Sequence, residues 1–278
     1  MSGAEREAAA VLRECRREFA ARGTTAIGEA MAGGPKPSAD VPAEPEPWRR
    51  YPDGEAYDPI SHAQYFFHCH PVAAPPFPKA QAGATARTEF GHFHLFLRAE
   101  GMPRGVAPLF FPEQVLANAP TPPQAAPTRR GAGDRVAHLI AIALDPCGEP
   151  MRLFTTNRWV TGETWYRADD VARMLDRFAP AGDGSALLDR WLVALLRLYR
   201  TEIERLLQRR DEAVAKWRWL WPRRGNVLED PRLEIVSQCE IDLDAALAEF
   251  DRPSGSRKLV APPSRLPRSP KMLEGWGA

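Results

Sequence analysis

Two periodicities divide the chain. Segments at residues 64–70, 89–98, 136–144, 151–157 and 233–241 alternate in polarity or are dense in aromatic and β-branched residues, which predicts strands. Asp145, Pro146, Cys147, Gly148, Glu149 and Pro150 separate the third from the fourth, and this turn chemistry joins the two antiparallel. Elsewhere apolar residues recur at threes and fours. Val11, Leu12, Cys15 and Phe19 predict an amphipathic helix over residues 4–22, a docking arm or cap that closes at Gly23. Asp169 and Asp170 open a helix running to Phe178, where negative charge suits the helix N-terminus. From Ser185 to Trp217 the apolar stripe predicts one helix of ~50 Å at 1.5 Å per residue, and a short helix follows near 244–250.

Separate runs of strands and helices favour an α+β fold: an antiparallel sheet of four to six strands packed against C-terminal helices, including one long helix. A small β-barrel decorated by helices is the alternative. Proline, with 28 residues against 20 glycines, is concentrated in a few segments and so marks the boundaries. Its density over residues 33–59 excludes helix and central strand and reads as an extended linker. The stretches 71–78 and 120–127 read as long loops within the fold. The division expected is an N-terminal amphipathic helix at 1–32, a Pro-rich linker at 33–59, one α+β domain at 60–250 and a disordered tail at 251–278.

Charge and cysteine content narrow the classes. With 37 basic and 36 acidic residues the net charge is +1, so no overall basic field favours nucleic acid. The longest apolar stretch in the helical half, Trp191 to Leu196, falls far below the ~20 residues of a membrane span. The first residues carry charge from Glu5 onward and no apolar signal-peptide centre, which leads to the expectation of a cytoplasmic protein. The four cysteines form no C-x-x-C pair and encode neither a disulfide framework nor a zinc ribbon.

The chemistry concentrates in histidine. All six lie between positions 62 and 138, and four form two H-x-H pairs, His68-Cys69-His70 and His92-Phe93-His94. On a strand each pair projects from one face, with Cys69 on the reverse. An antiparallel register setting His70 opposite His92 also sets His68 opposite His94. Four imidazoles then outline a rectangle of ~5 by ~7 Å whose centre a divalent metal can occupy at the usual nitrogen distances. Imidazole suits zinc, iron, copper and nickel alike, so zinc or iron is the expected cofactor class and the ligand type does not choose between them. Glu89 faces away in a regular strand, unless a bulge at Gly91 re-aims it as ligand, partner or base. His138, counted on the same face as Ile140 and Ile142, is the other candidate acid–base group. His62 lies too far along the chain to join. The alternative is a hairpin whose histidines are half-buried polar aromatics without metal.

Residues 154–166 are dense in hydrogen-bonding and aromatic side chains at a strand-to-helix passage. Asn157, Arg158 and Trp159 are candidate contacts to a polar or anionic substrate, against the reading that they anchor the loop. Trp217, Trp219 and Trp221 among Lys216, Arg218, Arg223 and Arg224 read as a helix end covering the core edge, and carry no specific nucleic-acid signal. The chain has no G-x-S-x-G elbow, P-loop, G-x-G-x-x-G turn or H-E-x-x-H helix. A cupin strand also carries H-x-H, but with a glutamate at short spacing after it, where this chain has only Glu100.

The segments Gln64 to His70, Glu89 to His94 and Leu153 to Trp165, with their H-x-H and G-H-x-H patterns, resemble an uncharacterised bacterial domain family of unknown function. The resemblance spans roughly residues 48–213. It implies a bacterial source and a single domain, and brings no activity or catalytic residues. From the residues themselves the expected function is a divalent-metal-dependent enzyme acting on a small polar substrate. His68, His70, His92 and His94 would be its ligands, and Glu89 or His138 its acid–base group. The alternative is a non-enzymatic protein that uses the same face to bind a metal, a small ligand or a protein partner.

Overall fold

The structure is a computed structural model and describes residues 2–33, 45–70, 88–109, 135–221 and 225–251. Among these residues six strands, β1 (Tyr51–Tyr57), β2 (Ala63–Cys69), β3 (Gly91–Arg98), β4 (Val136–Leu144), β5 (Pro150–Thr156) and β6 (Ile235–Glu240), form one sheet in sequence order. Every neighbouring pair is antiparallel. With β1 and β6 at opposite edges the sheet is open, which answers the barrel alternative. The β4–β5 turn is built as its residues dictate. Asp145 Oδ1 accepts the N–H groups of Cys147 and Glu149, and Gly148 adopts the positive φ of 81°.

Among the described residues, seven helices join the sheet: α1 (Gly3–Arg22), α2 (Ala26–Ala32), α3 (Arg158–Thr161), α4 (Ala168–Leu175), α5 (Ala186–Leu198), α6 (Arg200–Leu220) and α7 (Leu243–Phe250). All but α3 contribute side chains to the principal core, which they form with one face of the sheet. Tyr65 and Phe67 of β2 and Phe93 and Leu95 of β3 point into it, and the Phe93 ring meets Trp191 of α5 at 6.2 Å. The opposite face carries Gln64, Phe66 and His68 of β2 and His92, His94, Phe96 and Arg98 of β3. These residues are buried as well. A sheet buried on both faces accounts for the nearly continuous apolar run of β4.

Three expectations need correction. Residues 51–57, assigned to a linker, form β1. Proline is tolerated there because β1 is an edge strand, and its register breaks across Pro52–Glu55. The single helix expected from Ser185 to Trp217 is two, interrupted at Tyr199 (φ −99°, ψ 21°). The apolar stripe runs through the break because the halves bury it on different partners: α5 packs on α1, and α6 on α4 and β6. Arg200 fixes the corner by pairing with Asp176 and Glu204 and donating to the Ala172 carbonyl at 2.7 Å. Finally, Trp219 does not cover the core edge and is 79% exposed, whereas Trp217 is anchored by its indole N–H to Asp230 at 3.0 Å.

α1 lies within the principal core through Leu12, Cys15 and Phe19, and α2, which the sequence did not announce, follows it. The proline stretches at 71–78 and 120–127, most of the first part of the expected linker (34–44), Pro222 and the tail from 252 onward lie outside the described residues. Among the described residues no helix is long and apolar enough to cross a membrane.

Candidate metal centre

The histidines converge, through a register two residues from the expected one. His68 stands opposite His92, and Phe66 opposite His94. A shift of two preserves the face, because side chains alternate with a period of two. It also carries His70 past the end of β2. Glycine is required at position 91, opposite Cys69, since a Cβ there would run into the His68 carbonyl and come within 2.6 Å of the Phe67 ring.

His138 reaches the same face by a device the sequence concealed. Leu95 pairs with Ile140 and Phe96 with His138, which leaves Leu139 as the extra residue of a β-bulge. Ala137, Leu139, Ile140 and Ile142 therefore all point into the principal core. His138 joins Val136, Ala141 and Ala143 on the other face, instead of sharing a face with Ile140 and Ile142.

Three Nε2 atoms meet at the centre of this face. His68 Nε2 is 2.7 Å from His92 Nε2, which is 3.0 Å from His94 Nε2. All three residues are at most 3% exposed. Behind the trio the second nitrogens of His92 and His94 each have a partner. His92 Nδ1 lies 2.8 Å from Glu89 Oε1, and the other Glu89 oxygen pairs with Arg152. His94 Nδ1 lies 3.1 Å from His138 Nε2, and His138 Nδ1 lies 3.4 Å from Thr156 Oγ1. The His138 backbone N–H donates to Glu163 at 2.7 Å. Glu89 approaches His92 without a bulge at Gly91, because β3 begins at Gly91 and Glu89 precedes it.

Burial decides the protonation of the cluster. It holds His68, His92 and His94 well below the usual imidazole range, with neighbouring imidazoles adding to the effect, and lowers His70 as well. His138 is pushed down to about 3 by burial, then by the charge of Arg210. Burial raises Glu89 against the opposing pull of Arg152. With His92 neutral, its contact to Glu89 is a hydrogen bond donated by Nδ1–H, and not an ion pair.

Counting protons exposes the strain in this arrangement. Once His92 donates through Nδ1, its Nε2 offers one lone pair to two neighbouring Nε2 atoms. Two N–H donors must share it, or lone pairs face one another. A divalent cation removes the conflict by taking all three lone pairs. Metal–nitrogen distances of ~2.0–2.1 Å hold ligating nitrogens roughly 3 Å apart, and the three ligand atoms, all within 4.8 Å of one another, are close enough for one cation to reach. His94 then donates from Nδ1 to His138, and His138 from Nδ1 to Thr156. These partners fix ring orientation as outer groups around metal centres do.

Phe66, Phe96 and Phe154 wall the cluster; the Phe154 ring stands edge-on to His92 at 5.0 Å. Arg50 lies over Phe66 at 4.4 Å and pairs with Glu55, which accepts from Gln64, which in turn accepts from Arg98 at 2.8 Å. Gln64, Arg98, Arg152 and Thr156 were missed in the sequence although strand alternation from His68, His92 and Phe154 puts them on this face. Arg50 and Glu55 had no such signal, because the β1 register is irregular. His62 is hydrogen-bonded to Tyr57 at 2.8 Å, away from the trio.

The predicted substrate contacts are engaged within the fold. Asn157 caps α3 and donates to the Val227 carbonyl at 2.8 Å, while Arg158 donates to the Glu163 carbonyl at 3.0 Å and pairs with Glu229. Trp159 buries its indole N–H with no hydrogen-bond partner among the described residues. These contacts clamp α3 to the turn at Val227–Glu229.

The sequence model of a domain of unknown function, DUF6969, matches residues 6–241. The chain belongs to this family. The DUF6969 match extends beyond residues 48–213 at both ends, taking in most of α1 as well as β6. Comparisons with curated proteins and with solved structures gave no significant match.

Proposed function

We propose that this protein is a divalent-metal enzyme whose centre is held by His68, His92 and His94 and acts on a small anionic or polar substrate. The observation that carries this reading is the convergence of three buried Nε2 atoms at which, without a cation, two rings are left to share the one lone pair of His92. Three ligands with further positions open are the pattern of catalytic centres, whereas structural zinc sites are closed by four. His138 stands behind His94 and does not close the set. Three neutral imidazoles leave the charge of a dication uncompensated in a buried site, which favours hydroxide or an anionic oxygen of the substrate. A metal there supplies Lewis acidity and a water of lowered pKa. Glu89 holds the Nδ1 proton of His92, and His138 and Thr156 hold that of His94. The aromatic walls exclude water and strengthen these electrostatic interactions.

The test is metal binding by protein stripped with chelator, at pH 7.5, with zinc, anaerobic iron(II) and cobalt(II). A free metal concentration 100 times Kd stabilises by about 2.7 kcal/mol. For a chain of this size that raises Tm by roughly 5–10 °C. The double variant His92→Ala/His94→Ala should lose the rise. No metal-dependent rise in the wild type, or one that survives in the double variant, overturns the proposal. Stoichiometric binding without turnover in a screen of hydrolase and oxygenase substrates would retain the centre and reject catalysis.

A further inference from the structure

We infer that a second divalent cation binds beside the first, between His70, Glu89 and His92, with His92 bridging the two. The inference rests on the three-histidine centre proposed above. His70, Glu89 and His92 each place one ligand atom within 4.8 Å of the others, on the Glu89 side of the His92 ring. The His70 ring lies 5.0 Å from both the His68 and His92 rings and packs edge-on against Trp48 at 4.5 Å.

The independent observation is the state of His70. Both of its ring nitrogens are buried, and neither has a hydrogen-bond partner among the described residues. The other imidazoles of the cluster are joined through ring nitrogens to one another or to Glu89 and Thr156. A buried imidazole left without partners calls for a group that takes its lone pair, and a cation does so while using the carboxylate that faces it. Water alone would satisfy His70, but would leave Glu89 divided between Arg152 and a neutral imidazole.

For both positions to fill, His92 gives its Nδ1 proton to solvent and offers one nitrogen to each cation. The resulting imidazolate places a negative charge between them and reduces their repulsion. With metal–nitrogen distances of ~2.0–2.1 Å on either side of the ring, the ions stand about 6 Å apart. That is too far for one shared water, and it fits a substrate carrying anionic groups at two ends. His70 is less buried than the trio and stands at the strand end, so this second position lies at the rim.

The experiment is competitive titration of full-length, metal-free protein with zinc against a chromophoric chelator, comparing wild type, His70→Ala and His94→Ala. Wild type should take up two equivalents, one tight and one weaker. His70→Ala should keep the tight equivalent with affinity unchanged within a few-fold and lose the weaker one. His94→Ala should lose the tight one. With two equivalents of copper(II), magnetic coupling through the imidazolate should diminish the EPR signal of wild type, and His70→Ala should show an uncoupled signal. Saturation of wild type at one equivalent overturns the second site and leaves the first standing, whereas no uptake overturns both. Two equivalents retained by His70→Ala, or two copper ions without coupling, also reject the inference.

Discussion

Removing metal and lowering the pH should unfold this protein over a narrow range, because four imidazoles are buried in their neutral form. His68, His92, His94 and His138 are each held well below the ~6.5 of an unfolded chain. A group whose folded-state pKa is depressed binds more protons when unfolded, so its contribution to stability is complete above pH ~6.5 and is lost as the pH falls below it. Between pH 6 and pH 5 each unfolded histidine carries on average about 0.9 of a proton, or ~3.6 for the four. Asp189 works the other way: burial raises it to about 6, so the folded protein takes up a proton that the unfolded chain does not. That returns ~0.7 of a proton; His70, also lowered, adds to the histidine side, while Glu89 and Glu234, raised by burial, add to the other, so at ~1.4 kcal/mol per proton and pH unit the loss across this one unit is on the order of a few kcal/mol.

A loss of that size is a large part of the ~5–15 kcal/mol that holds a typical domain together. Urea unfolding followed by tryptophan fluorescence, in chelator at pH 8, 7, 6 and 5, reads it directly. With a slope near ~3 kcal/mol per molar, the midpoint should move down by more than about 1 M between pH 6 and pH 5, and by much less between pH 8 and pH 7. His138→Gln should reduce the dependence by roughly a quarter. An unchanged midpoint between pH 6 and pH 5 would refute the assignment of these rings as buried and neutral, and the metal-centre argument would lose its electrostatic basis.

Replacing Glu89 by Gln leaves an acceptor for His92 Nδ1–H but removes the charge shared with Arg152, and should weaken metal binding at the three-histidine centre about 10–100-fold in a competition titration. An unchanged affinity would show that Glu89 does not tune His92. Thr156→Val keeps the shape of the residue beneath His138 and removes the hydroxyl that shares a hydrogen bond with its Nδ1, so the same titration should show a smaller loss with the fold intact by circular dichroism. An equal loss of affinity and helix content would mean that Thr156 serves packing alone.

Most of the sheet was legible because local pattern and global environment agree there. β4 was bounded to the residue, and the turn at Asp145–Gly148 was read from its own chemistry. The break at Tyr199 was hidden, since an apolar stripe records that a face is buried and not which partner buries it. β1 was hidden for the opposite reason. Its Pro52 and its Gly54 and Glu55 at positive φ deny it any alternation, and only pairing with β2 makes it a strand. The same irregularity turns Glu55 inward to Gln64.

The site divides along the same line. Which residues share a face follows from periodicity, so His68, His92 and His94 were found together even though their pairing was misjudged by two residues. Which atom of each ring faces which neighbour depends on distances that no spacing encodes. His138 combines the two cases: strict alternation assigns it to the helix-packed face with Ile140, and the unpaired Leu139 reverses the assignment. That reversal matters chemically. Without the bulge, His94 Nδ1 would lose the ring that receives its proton, and nothing described on that face besides His138 would hold its Nε2 lone pair toward His68 and His92. The bulge thus places beside His94 Nδ1 a ring nitrogen able to accept its proton, which the proposed three-nitrogen cation site requires.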